Sequence, residues 1–362
     1  MNKKNLTLRE IFAKAVQSFK SKDYKKAEVY CYKILSIDPN HLDSISLLST
    51  IAAINNNFDK AKKLLHQSLE IKPKNTPTLN NLGTIYKESG KFKEAIVFFE
   101  KALKVDVNHV NSNYNLGTTY YKLKDLKKAK FFLKKTVELQ DNYALAFFAL
   151  GNVHVDLKEL HEAVSCYQKT IEIRPDFVNA YNNLGLVFRD LNDFKNAVDS
   201  YEKAIKIKPD YMPALKSKVV LLRLMNKNKD ALELSDKLLN INSKDPQLYF
   251  EKAETLSSMG RVTESIQSYK DSYILNPDYP YALGSLVYEK LNNCEWDNIE
   301  LEFDEIKKNL SKGKKVCSPL IATTIFDSAE LHYIASKKFV QQIETENNKN
   351  LKNKTKKNKL NI

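Results

Sequence analysis

Apolar and small side chains recur along this chain with a fixed period of 34 residues. The clearest mark is a proline that follows a short apolar run, found at Pro39, Pro73, Pro175, Pro209 and Pro277. The gaps between these prolines are 34, 102, 34 and 68 residues, all multiples of 34. A period of this length predicts a stack of two-helix units, because one such unit cannot bury its own apolar face.

Taking Pro39 as position 32 of a repeat places the first repeat at Leu8 and predicts eight repeats over residues 8–279. These are 8–41, 42–75, 76–109, 110–143, 144–177, 178–211, 212–245 and 246–279. Position 20 is small throughout: Ala27, Ala61, Ala95, Ala129, Ala163, Ala197, Ala231 and Ser265. Position 8 is glycine in the four central repeats, at Gly83, Gly117, Gly151 and Gly185. Small residues at these positions predict that the two helices of each repeat, A and B, cross at close range.

Two segments, NNLGTIYKESGKFKEAIVFFEKALKVD from Asn80 and NNLGLVFRDLNDFKNAVDSYEKAIKIKPD from Asn182, resemble the tetratricopeptide-repeat consensus. The resemblance covers about three quarters of the chain. It implies an all-α fold, a right-handed superhelical solenoid of antiparallel helix pairs with a C-terminal helical cap. The domains expected are an extension (1–7), eight repeats (8–279), a helical capping segment (280–342) and a disordered basic tail (343–362).

Asparagine recurs at positions 5 and 6 of helix A, which in this family lines the concave face. The residues are Asn80, Asn81, Asn115, Asn182 and Asn183. An asparagine amide can pair with both the N–H and the C=O of an extended peptide. The series resembles the asparagine ladder of O-linked N-acetylglucosamine transferases and predicts a groove that binds peptide segments. A solvated helix face in an asparagine-rich chain remains the alternative.

No other constellation indicates catalysis, a metal or a cofactor. The cysteines Cys31, Cys166, Cys294 and Cys317 are far apart and lack metal or redox spacing, so buried free thiols are expected. Glycines that could form a nucleotide-binding loop are missing. We therefore expect no cofactor, no metal and no catalytic residue, and the chain is not expected to be an enzyme by itself.

The formal net charge of +14 does not by itself indicate a nucleic-acid partner, because acidic residues are interspersed with lysine. Only the tail, 343–362, is a basic run. No apolar run approaches the roughly 18 residues of a membrane span. The N-terminus lacks the apolar stretch of a secretory signal, so a cytoplasmic location is expected. Proteins or peptide segments are the expected partners, and the sequence does not indicate an oligomeric state.

The capping segment is expected to contain a helix over YALGSLVYEKLNN, a second helix opening at Trp296, a loop SKGKKVCSPL and a helix from about Ser328. The Cys294–Glu295–Trp296 step, Pro319 and Asp327–Ser328 resemble the segment that joins repeats to catalytic domain in bacterial SPINDLY-type O-linked N-acetylglucosamine transferases. The two catalytic lobes of that family do not follow in this sequence. An alternative function is therefore the substrate-recruiting arm of a truncated or split transferase of this type.

Overall fold

The computed structural model describes residues 7–337. The predicted N-terminal extension (apart from Thr7), the end of the capping segment and the basic tail lie outside the described residues. The chain divides into two compact units, Met1–Asp156 (unit 1) and Leu157–Ile362 (unit 2). Each unit is described separately below.

Over the described residues the chain is helical and contains no strand, which confirms the all-α prediction. The A helices are α1 (Leu8–Lys20), α3 (Leu42–Ile54), α5 (Thr76–Glu88), α7 (Val110–Lys122), α9 (Ala144–Asp156), α11 (Val178–Asp190), α13 (Met212–Leu224) and α15 (Pro246–Ser258). The B helices are α2 (Tyr24–Leu35), α4 (Phe58–Ile71), α6 (Phe92–Val105), α8 (Leu126–Leu139), α10 (Leu160–Ile173), α12 (Phe194–Ile207), α14 (Asn228–Ile241) and α16 (Val262–Leu275). The capping segment holds α17 (Ala282–Asn292), α18 (Ile299–Ser311), α19 (Pro319–Ile325) and a helical stretch over 329–337. No helix within residues 7–337 is long and apolar enough to cross a membrane.

Each A helix begins at the first residue of a 34-residue repeat. Consecutive A and B helices pack as pairs in unit 1 (α1 with α2 through α7 with α8) and in unit 2 (α11 with α12 through α15 with α16). The position-20 residues, from Ala27 to Ser265, are fully buried. A Cβ on Gly83 would lie 2.6 Å from the ring of Phe99, and a Cβ on Gly185 would lie 2.5 Å from the ring of Tyr201. Glycine is therefore required where a large B-helix side chain sits against helix A.

The turn between helix A and helix B has the same backbone in all eight repeats. Position 15 adopts a positive φ of 57° to 74° whether the residue is glycine, as at Gly90 and Gly260, or lysine or asparagine, as at Lys22 and Asn192. In several repeats the next residue caps helix B, as where Asp23 accepts a hydrogen bond from the N–H of Lys26 at 3.1 Å. The left-handed residue ends helix A and the cap starts helix B.

The core of each unit is a series of small apolar clusters between neighbouring helices. In unit 1, Leu65 of α4 and Leu82 of α5 are fully or almost fully buried in one such cluster. In unit 2, Tyr201 of α12 packs with Leu221 of α13 in another. Since each cluster joins one repeat to the next, the apolar face that a single repeat leaves open is covered by its neighbour.

The cap differs in detail from the prediction. Helix α18 begins at Ile299 rather than at Trp296, because Asn298 has a left-handed φ of 59° that a helix cannot pass through. The predicted loop ends early, since Pro319 starts α19. The N–H of Gly284 donates to the carbonyl of Val316 at 2.9 Å, and a Cβ on this glycine would lie 2.7 Å from that oxygen.

Three of the four cysteines follow the prediction of buried thiols, and one does not. Cys31, Cys166 and Cys317 are buried, and burial raises the pKa of the Cys31 thiol to about 11 and that of Cys317 to about 12. Cys294 is exposed and lies in the turn after α17, where its φ is 57°. The expectation of burial was wrong for this residue.

Candidate functional site

In unit 1, polar side chains of α5 and α7 meet along one line. The buried Asn80 accepts hydrogen bonds through its Oδ1 from Asn115 Nδ2 at 3.0 Å and from Ser112 Oγ at 3.2 Å. Asn115 Nδ2 also lies 3.4 Å from Thr84 Oγ1. Part of the predicted asparagine series is thus bonded internally and joins one repeat to the next.

Lys87 lies one turn further along α5 and donates from its Nζ to Thr118 Oγ1 on α7 at 2.8 Å. Among the described residues, no carboxylate lies within 4.0 Å of this ammonium group. Burial lowers the pKa of Lys87, and Lys122 nearby lowers it further, although Glu88 acts in the opposite direction. A half-buried cation whose partner in the described residues is a neutral hydroxyl can still gain stabilisation from an added anionic group.

Asn81 and Asn115 are half-buried and keep bonding capacity. Asn81 makes no side-chain hydrogen bond to the described part of the chain, and the Oδ1 of Asn115 accepts none there. We call the set Asn80, Asn81, Thr84, Lys87, Asn115 and Thr118 the α5/α7 polar surface. It combines free amide groups with one cation.

Two tyrosines extend this surface beyond Asn115. The rings of Tyr114 and Tyr143 lie 5.0 Å apart between centroids, and burial raises the pKa of both hydroxyls. Tyr114 lies on α7 beside Asn115 in sequence, and Tyr143 lies in the turn before α9.

In unit 2 the predicted pair Asn182 and Asn183 lies on α11. Asn182 is buried and donates from its Nδ2 to Asn183 Oδ1 at 3.3 Å. The Oδ1 of Asn182 is buried and has no hydrogen-bond partner among residues 7–337. This arrangement resembles that of Asn80 in burial, but the amide bonds a neighbour on its own helix rather than one on the next repeat.

Further along unit 2, the same side of the A helices is charged and internally paired. Arg223 of α13 donates from its Nη2 to Glu251 of α15 at 3.1 Å, and its Nη1 lies 3.7 Å from Glu254. Lys216 forms an ion pair with Asp245. Burial raises the pKa of Glu251 although Arg223 lowers it, and burial together with Glu254 raises that of Tyr269, which donates to Glu254 at 2.7 Å. Arg223 and Lys216 are thus already paired with carboxylates of the protein.

The site predicted from the asparagines at positions 5 and 6 does not include these charged residues. A signal was present at position 12 of helix A, which reads Lys87, Arg189 and Arg223 in three repeats. Positions 5, 9 and 12 lie on one helix face, so Asn80, Thr84 and Lys87 belong together. Which of the cations is paired depends on side chains from the following repeat and could not be read from the spacing.

The tetratricopeptide repeat is also found by comparison. Models described as tetratricopeptide repeat match residues 178–211, 18–84 and 246–279. A model of the anaphase-promoting complex, cyclosome, subunit 3, matches residues 88–170. With the period, the helix pairs and the buried small residues already described, these matches show that the chain is built of tetratricopeptide repeats.

Solved structures support the fold. PilF of Pseudomonas aeruginosa is 16% identical over 58% of this chain and 96% of its own, with a TM-score of 0.53. The APC/C hetero-tetramer Cut9-Hcn1 is 17% identical over 77% of this chain and 55% of its own, with a TM-score of 0.54. YrrB, described as a TPR protein with an unusual peptide-binding site, is 27% identical over 52% of this chain and 97% of its own, but its TM-score of 0.44 is too low to transfer that site. A search of curated proteins found no significant match.

These matches include no SPINDLY-type transferase, so that resemblance stays a prediction. Within residues 7–337 no group of three or more His, Cys, Asp or Glu side chains could hold a metal ion. The geometry presents amides, a cation and aromatic rings, which bind by hydrogen bonding and charge.

Proposed function

We propose that this chain is a protein-interaction scaffold that binds extended peptide segments of partner proteins on its A helices. The α5/α7 polar surface carries the proposal, because it holds half-buried amide groups whose hydrogen-bonding capacity the fold leaves unused. We propose the same role for Asn182 and Asn183 within unit 2.

The backbone of the partner would be held by Asn81 and Asn115. Asn81 offers both a donor and an acceptor, and Asn115 offers its Oδ1 while its Nδ2 is held by Asn80. Because Asn80 fixes the orientation of Asn115, little side-chain entropy is lost on binding. Amide pairing reads the peptide backbone, so many sequences would be accepted.

Lys87 would add a preference for an acidic group on the partner. Its ammonium group is bonded to Thr118 rather than to a carboxylate, so an incoming Asp or Glu would gain a charge-assisted hydrogen bond. Within residues 7–337, the carboxylate that favours the charged state of Lys87 is that of Glu88, which is exposed on the same helix turn. The partner's carboxylate would therefore meet little competition inside the protein.

The experiment selects a binding peptide from a random dodecamer library on the immobilised full chain and measures its affinity by calorimetry. Asn81→Ala should weaken binding about tenfold, since two hydrogen bonds contribute about 1–3 kcal/mol together. Asn55→Ala, an exposed asparagine of unit 1 at the end of α3, is the matched control and should change nothing. The proposal fails if no peptide is selected, or if Asn81→Ala and Asn55→Ala bind equally well.

The second candidate is the recruiting arm of a SPINDLY-like transferase, and the cap supports it. Four large apolar side chains there are exposed, namely Trp296, Leu301, Leu320 and Tyr333. They would suit contact with a catalytic domain on another polypeptide or further along the same one. The test is to purify the chain from its source and assay transfer of N-acetylglucosamine from its UDP-sugar. Transfer activity that co-purifies with the chain and is lost in Leu320→Asp supports this candidate, and its absence removes it.

A further inference from the structure

The B helices of unit 1 and of unit 2 differ sharply in charge. The helices α2, α4, α6 and α8 carry fourteen lysines against six carboxylates, a net charge of +8. The helices α10, α12, α14 and α16 carry seven lysines against nine carboxylates, a net charge of −2. The excess is greatest on α8, which has five lysines and the single carboxylate Glu138.

The B helices of unit 1 expose one whole side. Helices α4, α6 and α8 each bury three residues, whereas the A helices α3, α5 and α7 bury six or seven. Neighbouring B helices also touch, since Lys60 of α4 bonds Glu28 of α2 at 2.9 Å and the rings of His66 and Phe98 on α4 and α6 lie 6.2 Å apart. We call the exposed residues of these four helices the B-helix face of unit 1.

Apolar side chains recur at one repeat position of this basic face. Position 22 reads Val29, Lys63, Val97 and Phe131 in unit 1, and three of the four are large apolar residues. In unit 2 the same position reads Ser165, Asp199, Glu233 and Gln267. Phe131 is 64% exposed and Val29 65%. Exposing apolar side chains to water is unfavourable. Their recurrence at one repeat position within a lysine-rich face therefore indicates that this face binds another surface in which they become buried.

We propose that the B-helix face of unit 1 binds an anionic lipid surface. Lysines on such a face are attracted to acidic headgroups, and each one near the surface strengthens partitioning about fivefold. Phe131 and Val97 would enter the boundary between headgroups and acyl chains. The face has no arginine, the residue that suits bidentate contact with nucleic-acid phosphates, and its exposed apolar residues are mainly aliphatic rather than a series of stacking rings.

The test measures co-sedimentation of the full chain with vesicles of 30 mol% phosphatidylserine in phosphatidylcholine, and with vesicles of phosphatidylcholine alone. The triple variant Lys127→Gln, Lys128→Gln, Lys134→Gln should bind at least tenfold more weakly. The matched control is Lys195→Gln, Lys203→Gln, Lys206→Gln on α12, which removes the same charge from exposed lysines of unit 2 and should bind as the unmodified chain does. Both variants keep the basic tail, so its contribution cancels.

A second pair of variants tests the apolar part. Phe131→Ser should reduce binding about fivefold, whereas Ile274→Ser, at 63% exposure on α16, should not. Circular-dichroism melting of each variant shows whether it is folded. Equal losses in the two lysine triples, equal binding to uncharged vesicles, or binding of a 20-nucleotide RNA in place of vesicles would each overturn the proposal.

Discussion

In unit 1 the ammonium group of Lys87 donates to the hydroxyl of Thr118, whereas in unit 2 the guanidinium group of Arg223 is bonded to the carboxylate of Glu251. Both cations stand at position 12 of an A helix and both contact the next repeat. One is left to meet a charge from outside, and the other is neutralised within the fold. The repeat thus sets where a side chain stands, and the neighbouring repeat decides whether it serves stability or binding.

The largest effect should come from breaking the pair in unit 2. Arg223→Met leaves the buried carboxylate of Glu251 without its cation, which should cost about 3 kcal/mol of the free energy of unfolding. Lys87→Met removes a cation whose side-chain partner in the described part of the chain is the hydroxyl of Thr118, and should cost less than about 1 kcal/mol. Urea unfolding followed by circular dichroism compares the two variants, and equal losses would contradict the distinction between the units.

Binding should respond in the opposite order. Lys87→Met should weaken an acidic peptide selected on the chain about tenfold, because a charge-assisted hydrogen bond contributes about 1.5–3 kcal/mol. The same peptide with its carboxylates changed to amides should bind both proteins equally. A similar loss with the amide peptide would mean that Lys87 acts through the fold, and calorimetry resolves the two cases.

The pH dependence of stability should reveal Glu251. Its pKa in the folded chain is raised above the ordinary 4.5, mainly by burial, so its folded form holds a proton where the unfolded form has lost it. Its contribution is therefore most favourable below about pH 4.5 and is lost as pH rises through the folded pKa. The melting temperature of Glu251→Gln relative to the unmodified chain should rise between pH 4.5 and pH 8, and a constant difference would contradict this.

The smallest effect concerns the turn shared by both units. Lys22→Gly should stabilise the chain by about 0.5 kcal/mol, because a φ of 62° strains the backbone of lysine but not that of glycine. Asn192→Gly, at a φ of 60° in unit 2, should change stability less, since asparagine tolerates this conformation. Paired urea titrations measure both, and destabilisation by Lys22→Gly would show that the lysine side chain has a role of its own.

Much of the fold could be predicted because the 34-residue period specifies the helix pairs of all eight repeats. Alanine at position 20 and glycine at position 8 reflect contacts within a repeat, and such contacts recur wherever the spacing recurs. The cap was less predictable because it has no period. The left-handed Asn298 delays α18, and only the backbone reveals that Cys294 lies exposed in a turn.

The candidate site was predicted only in outline. The asparagines at positions 5 and 6 could be found from the sequence, but the bond from Asn115 to Asn80 could not, since it joins side chains 35 residues apart. The contact of Lys87 with Thr118 could not be predicted either, since these residues are 31 positions apart. The charge difference between the B helices was present in the sequence, yet an overall net charge conceals it.

The turn at position 15 has a consequence for how such a chain can change length. Its backbone conformation is the same in every repeat, so residue 90 and residue 124 are interchangeable joining points. A recombination that removes the 34 residues between them would join two matching backbones and pair the A helix of one repeat (α5) with the B helix of the next (α8), so that A and B helices still alternate. Whole repeats can therefore be lost or duplicated by a single genetic event.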